Sequence, residues 1–114
     1  MSKEVSSKAR YVGISAQKAR LVVDLVRGKK ADDALTLLKF TSKNAAEAVS
    51  KVVRTAIADA EENYQLDRNE LVITKAYVDE APTRKWRRFG ARGRFKPILR
   101  RSSHITIVVA EQSA

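Results

Sequence analysis

The sequence predicts an α+β fold with a protruding basic β-hairpin, and three observations predict it. Three stretches in the first half repeat apolar residues at helical spacing. Two later runs, Leu71–Val78 and Ser103–Val109, are rich in β-branched residues and alternate as strands do. Between them lies PTRKWRRFGARGRFKPILRRSS, Pro82–Ser103, dense in cations. Two strands bracketing such an insertion suggest an antiparallel pair whose arms continue outward as a ribbon.

In chain order, Val5–Val12 reads as a short edge strand, although Lys8 and Arg10 weaken the pattern, and Gly13 ends it. Ser15 is placed to cap a helix whose buried stripe is Ala19, Val22, Val23 and Val26, and Gly28 stops it in the C′ position. Arg20, Asp24 and Arg27 share another face of that helix. They form either a solvated ion-pair ladder or, with Lys18, a surface on which Lys18 and Arg20 meet phosphate. Ala31–Phe40 predicts a second helix, with Asp32 and Asp33 at its positive end, Lys39 at its negative end, and Ala31, Ala34, Leu35 and Leu38 turned inward. Neighbouring helix positions diverge by about 100°, so Asp32 and Asp33 suit helix-end electrostatics better than a metal or acid/base site.

Ser42–Asn63 reads as the longest helix and the centre of the core. Its stripe of Ala45, Val49, Val52, Val53, Ala56, Ile57 and Ala60 lets another element approach closely, and Glu47 and Lys51 pair outside. Its acidic end, Asp59, Glu61 and Glu62, should point away from any polyanion. A polar connector, Gln65–Asn69, leads to the first of the two strong strands. On the second strand Ile105, Ile107 and Val109 share one face.

The intervening arm sets the charge of the chain. Arg84, Lys85, Arg87, Arg88, Arg92, Arg94, Lys96, Arg100 and Arg101 supply +9 of the net +10, leaving +1 for the other 96 residues. A near-neutral body with one dense cationic arm is a footprint for a polyanion. Seven of the nine are Arg, whose guanidinium forks onto phosphate, and Trp86, Phe89 and Phe95 offer rings on which unpaired bases stack, so RNA is favoured. Pro82 and Pro97 fit strand ends, edges or bends, and Gly90 and Gly93 place a turn between Phe89 and Arg94. With about eleven residues ascending at roughly 3.3 Å each, the tip would stand some 35 Å from the body. Such an arm has no core of its own and is expected to be ordered by its partner; a disordered basic linker is the alternative.

The remaining composition narrows the function classes. At 114 residues there is room for one domain, and the absence of cysteine excludes disulfides and thiolate zinc sites. No apolar stretch approaches the roughly 18 residues of a membrane span, and MSKEVSSKAR has no apolar signal region, so a soluble intracellular protein is expected. Catalysis has little support: His104 is the sole histidine, a packing or hydrogen-bonding residue beside a strand, and no P-loop, GxGxxG or HExxH occurs. Asp79 and Glu80, adjacent on a strand, point to opposite faces. No metal or cofactor is called for. A general nucleic-acid-binding module is the competing reading, although no helix carries the basic recognition face that reading needs.

TRKWRRFGARGRFKPILRRSSHITIVV, the run Tyr77–Pro82 and ARYVGISAQKARLVVDLVRGK resemble the bacterial ribosomal protein L-twenty-two family of the large subunit, over nearly the entire chain. The most specific portion is Ala91–Arg94 followed by Arg100-Arg-Ser-Ser-His-Ile-Thr106. The resemblance implies one domain over residues 1–114, with a three-stranded antiparallel sheet packed by three helices and the hairpin at about Asp79–His104. It implies a structural constituent of the large ribosomal subunit, in the cytoplasm, that binds and bridges several domains of large-subunit ribosomal RNA. The hairpin tip, Arg88, Phe89, Gly90, Ala91, Arg92 and Gly93, would line the nascent-peptide exit tunnel near protein L-four. RNA contacts would come from Lys18, Arg20, Arg84, Lys85, Trp86, Arg87, Arg88, Arg92, Arg94, Lys96, Arg100 and Arg101. Partners would be ribosomal RNA, neighbouring ribosomal proteins and the passing nascent peptide, with no membrane and no small-molecule substrate. Phe89-Gly90 stand where the family usually has Pro-Arg, and Gly13 and Ala16 where it has Arg and Pro.

Overall fold

The computed structural model describes residues 3–82 and 101–112, together with the backbone pairing of 84–89 and 95–100. The chain runs β1 (Glu4–Val12), α1 (Ala16–Val26), α2 (Ala31–Lys39), α3 (Asn44–Tyr64), a 3-10 turn (Arg68–Glu70), β2 (Leu71–Glu80), β3 (Arg84–Phe89), β4 (Phe95–Arg100) and β5 (Ser103–Glu111). It is an α+β fold: the antiparallel sheet has the order β1-β5-β2, and β3 pairs with β4 in a separate two-stranded ribbon. The expected turn between Phe89 and Arg94 lies outside the described residues.

Local contacts set both ends of α1 and the far end of α3. The Ser15 side chain accepts from the Lys18 N–H at 3.4 Å, satisfying one orphan donor of α1. Beyond the last turn of α1, Gly28 takes φ 82°, and its N–H donates to the Ile73 carbonyl at 2.9 Å. α3 begins two residues later than the pattern suggested, with Lys43 as a cap residue that makes no side-chain capping bond. At its other end Gln65 adopts φ 50°, and the Leu66 N–H closes onto the Ala60 carbonyl at 3.0 Å.

The core lies between the helices and one face of the sheet. Val22, Val23 and Val26 of α1, Val49, Val53 and Ile57 of α3, and Ile105, Ile107 and Val109 of β5 are all buried there. The small residues of α3, Ala56 and Ala60, are completely covered, as a close approach to the sheet requires. Thr106, Val108 and Ala110, on the opposite face of β5, are buried as well. No helix is needed to cover them, because the flanking strands do so. Lys8 and Tyr77 stand opposite Thr106, and Glu4 opposite Ala110, while the Lys75–Glu4 ion pair at 3.5 Å joins β2 to β1 across the central strand.

The molecule is long for its size. Its radius of gyration is 17.2 Å and its principal extents 67 × 26 × 18 Å, against roughly 13 Å expected for a compact chain of this length. The ten residues of β2 alone span about 33 Å and the six of β3 about 20 Å, at roughly 3.3 Å per residue.

A Cβ at Gly28 would meet nothing within 4 Å, so any penalty there is purely that of a left-handed backbone. Gly28→Ala should therefore cost about 1–2 kcal/mol in urea unfolding. Gly13→Ala, equally open but without positive φ, should change stability by less than about 0.5 kcal/mol.

Candidate nucleic-acid interface

β2 is an outer strand, so the carbonyls on its free edge have no ladder partner and need another donor. The end of α1 supplies one. Arg27 donates from Nε and Nη2 to the Ala76 carbonyl at 3.1 and 2.6 Å, and its Nη1 holds Asp24 at 2.8 Å. Arg20 Nη2 donates to the Val78 carbonyl at 3.1 Å. Below them the Ile73 N–H reaches the Lys29 carbonyl at 2.9 Å. The edge is thus sealed from Ile73 to Val78, which binds α1 along the strand that runs into the arm.

On the other side of the sheet the same end is fixed by a bulge in β1. Tyr11 takes φ 54°, its N–H donates to Nδ1 of His104 at 3.0 Å, and its ring meets the imidazole edge-on at 4.8 Å. Nδ1 therefore accepts, and His104 has the packing and hydrogen-bonding role expected for it. β2 and β5 remain paired to Glu80 opposite Ser103, and the Ala81 N–H adds a bond to the Ser102 carbonyl at 3.1 Å.

The ribbon then resumes with Arg84 opposite Arg100. Its register sets Lys85 against Leu99, Trp86 against Ile98, Arg87 against Pro97, Arg88 against Lys96 and Phe89 against Phe95. Pro97 is tolerated inside β4 because a two-stranded ribbon has only edge strands. Two of the six pairs are cation against cation, which is destabilising across a ladder.

At the root of the ribbon, Lys18 and Arg101 come together, both exposed. They also line a cleft of about 680 Å³ with Lys43, from the start of α3. Glu80 shares a smaller space with Lys18 and Arg101, whereas a cluster of acids lies at the end of α3. Asp59, Glu61 and Glu62 occupy the last turns of α3, which leads through the 3-10 turn to the start of β2, ten residues from the arm. At about 3.3 Å per residue that is roughly 30 Å, so the acidic end points away from the arm, as its charge requires. Arg68 braces it, pairing with Asp32 at 2.9 Å and Glu61 at 3.9 Å.

The expected RNA-contacting residues are therefore distributed as follows. Lys18 and Arg101 meet at the root, whereas Arg20 lies along β2 with one donor engaged by the Val78 carbonyl. Arg84, Lys85, Trp86, Arg87, Arg88, Lys96 and Arg100 are placed by backbone register alone. Arg92, Arg94 and the tip positions Gly90, Ala91 and Gly93 lie outside the described residues. The linear pattern did not place Lys43 at the cleft by the root or Arg27 on the edge of β2. The only sequence signal for Lys43 is a cation at the positive end of a helix; Arg27 directly precedes the Gly28–Lys29 link that bonds to Ile73, which a linear pattern does not reveal.

A family model described as ribosomal protein L22p/L17e matches residues 7–110. The protein called large ribosomal subunit protein uL22 in Desulfitobacterium hafniense (strain Y51) is 52% identical over 104 residues, covering 91% of each chain. Its namesake in Pediococcus pentosaceus is 49% identical over 115 residues, covering 98% of each.

Because both arginines close β2's edge, Arg20→Met and Arg27→Met should each cost about 1 kcal/mol in urea unfolding while keeping the aliphatic stem. Arg27→Met should be the larger, since it loses two bonds to Ala76.

Proposed function

Since the chain belongs to the ribosomal protein L22p/L17e family and is a structural, non-enzymatic constituent of the large ribosomal subunit in the cytoplasm, we propose that its basic ribbon binds large-subunit ribosomal RNA and bridges several RNA domains. The observation that carries this is the β3–β4 register, with Arg84 opposite Arg100 and Arg88 opposite Lys96. Opposed cations weaken the ribbon in isolation, and phosphates packed around it reverse the sign of that term. Folded RNA brings several phosphate chains close together, which is where a narrow cationic ribbon gains most. Each contact releases counterions, so affinity should fall steeply with salt.

Arg84, Lys85, Arg87, Arg88, Arg92, Arg94, Lys96, Arg100 and Arg101 supply the phosphate contacts in this reading, and Trp86 stacks on, or wedges beside, irregular RNA. Lys18 and Arg20 add contacts from α1, Arg20 with the donors that β2 leaves over. The segment Arg88–Gly93 forms the tip, lining the nascent-peptide exit tunnel near protein L-four. The whole chain acts as one domain, with the hairpin spanning about Asp79–His104.

Replacing Arg84, Arg88, Lys96 and Arg100 together by Gln should make the salt dependence of binding to folded large-subunit RNA shallower by about 3, at roughly 0.7–0.9 per phosphate contact. An unchanged slope would refute the reading. At fixed salt the wild-type chain should prefer folded ribosomal RNA to duplex DNA of equal length; equal affinity would favour a general nucleic-acid-binding module. Deleting 84–101 should abolish co-sedimentation with the large subunit.

A further inference from the structure

The two outer strands of the sheet are finished differently. On β2 the free edge is closed, since Arg20, Arg27 and Lys29 take up the Val78 and Ala76 carbonyls and the Ile73 N–H. β1 is the other outer strand, nine residues long. Every second residue of such a strand turns its N–H and C=O away from the sheet. Among the described residues, no side chain or loop bonds to the backbone of β1 between Glu4 and Arg10. A cleft of about 440 Å³ lies beside it, bounded by Ser7, Ala9 and Val12 of β1 and by Ala48 and Val52 of α3. No residue of β5 lines this cleft, so it opens on the side of β1 away from the sheet. It exists because Ser7 and Ala9 are small, whereas the β5 residues opposite them are Ile107 and Ile105.

The charge around this edge selects what can add to it. Lys8 and Arg10 are exposed on β1 and take part in no ion pair among the described residues, whereas Glu4 is engaged by Lys75 and Glu47 by Lys51. They alternate with Ser7 and Ala9, so they point to the other face of the sheet. A second copy of β1 pairing antiparallel would bring Lys8 and Arg10 against their own counterparts, which is destabilising across a ladder. The edge is thereby guarded against its own kind. A strand carrying carboxylates on that face is attracted by the same two cations. On its opposite face, small apolar side chains would drop between β1 and α3 onto Ala48 and Val52.

We propose that the free edge of β1 is a strand-addition site, which takes up an extended segment of a partner protein in which small apolar residues alternate with acidic ones. Backbone pairing supplies the affinity, and the Ala48–Val52 cleft together with Lys8 and Arg10 supplies the selection. The site needs neither the ribbon nor RNA, and it is independent of the ribosomal-RNA reading above.

The test is residue-resolved amide exchange of the full chain titrated with capped peptides as long as β1, one alternating valine with glutamate and one alternating valine with lysine. The valine–glutamate peptide should slow exchange at alternate amides of β1 by at least about tenfold, and the valine–lysine peptide should not. An acidic peptide also meets the arm, so the measurement is repeated with Arg84, Arg88, Lys96 and Arg100 replaced by Gln, where the effect on β1 should persist. Lys8→Glu with Arg10→Glu should exchange the two peptide preferences. Ala48→Leu, which fills the cleft, should abolish the protection without lowering the melting midpoint of the free protein. Two further valine–glutamate peptides carry N-methyl groups, one on its valines and one on its glutamates. Only one of the two should lose binding, because a strand pairs through one edge. No protection of β1 at millimolar peptide, protection that vanishes in the arm variant or survives the charge reversal, or any other result from the methylated pair would overturn the proposal. Protection of β1 in the free chain, with a dimer in sedimentation, would place a second copy on the edge and overturn it too.

Discussion

The ladder between β2 and β5 is the constraint on which the other features depend, because it is the last neutral, two-sided support before the chain becomes cationic. From Leu71 opposite Glu111 to Glu80 opposite Ser103 it joins a sealed outer strand to the central strand of the sheet. α3 and α1 pack Val49, Val53, Val22 and Val26 over its inner face, and the Lys75–Glu4 pair spans its outer one. The ribbon that follows opposes Arg to Arg and Arg to Lys in two of its six pairs. Its direction is therefore inherited from β2 and β5, and whatever fixes those strands aims the arm.

That dependence explains why polar effort is concentrated at one end of the molecule. Arg20 and Arg27 close the free edge of β2, and the Tyr11–His104 bulge braces β5 within a few residues of the same point. At the other end of α3 the acids gather, held by Arg68. Asp59, Glu61 and Glu62 gather in the last turns of the long helix, away from the arm, where the helix dipole disfavours them, although Glu47 in its first turn obeys the dipole. A chain selected only for folding would have no reason to bear this cost. A constituent of a particle built around a polyanion has one, since the opposing field of phosphates rewards the same sorting.

Much of this was readable in the linear sequence because burial leaves a period. The stripes of α1 and α3 are continuous, and all their members named from spacing are buried. β1 was the faintest element because Ser7 and Ala9, small residues, face the core while Lys8 and Arg10 are exposed. Burial of Thr106, Val108 and Ala110 was not legible, since it follows from β5 being the middle strand, with long side chains of both neighbours leaning over it. Arg20 and Arg27 read as members of a solvated ladder or, for Arg20, as a phosphate contact. Among the described residues only the Asp24–Arg27 pair of the ladder forms, and both arginines reach β2's carbonyls because α1 lies along its edge. Lys43 lines the cleft at the ribbon's root for a similar reason, because the start of α3 borders the same space as Lys18 and Arg101. Local pattern specifies elements, whereas interface membership depends on which element ends meet.

The central claim is that the body holds the ribbon's root and RNA completes the rest. Amide hydrogen exchange on the full chain, free and bound to large-subunit ribosomal RNA, tests it most directly. The account predicts strong protection of β2 and β5 in both states, and protection of β3 and β4 that rises to a similar level only with RNA. Protection of β3 and β4 in the free chain equal to that of β2 and β5 would contradict it.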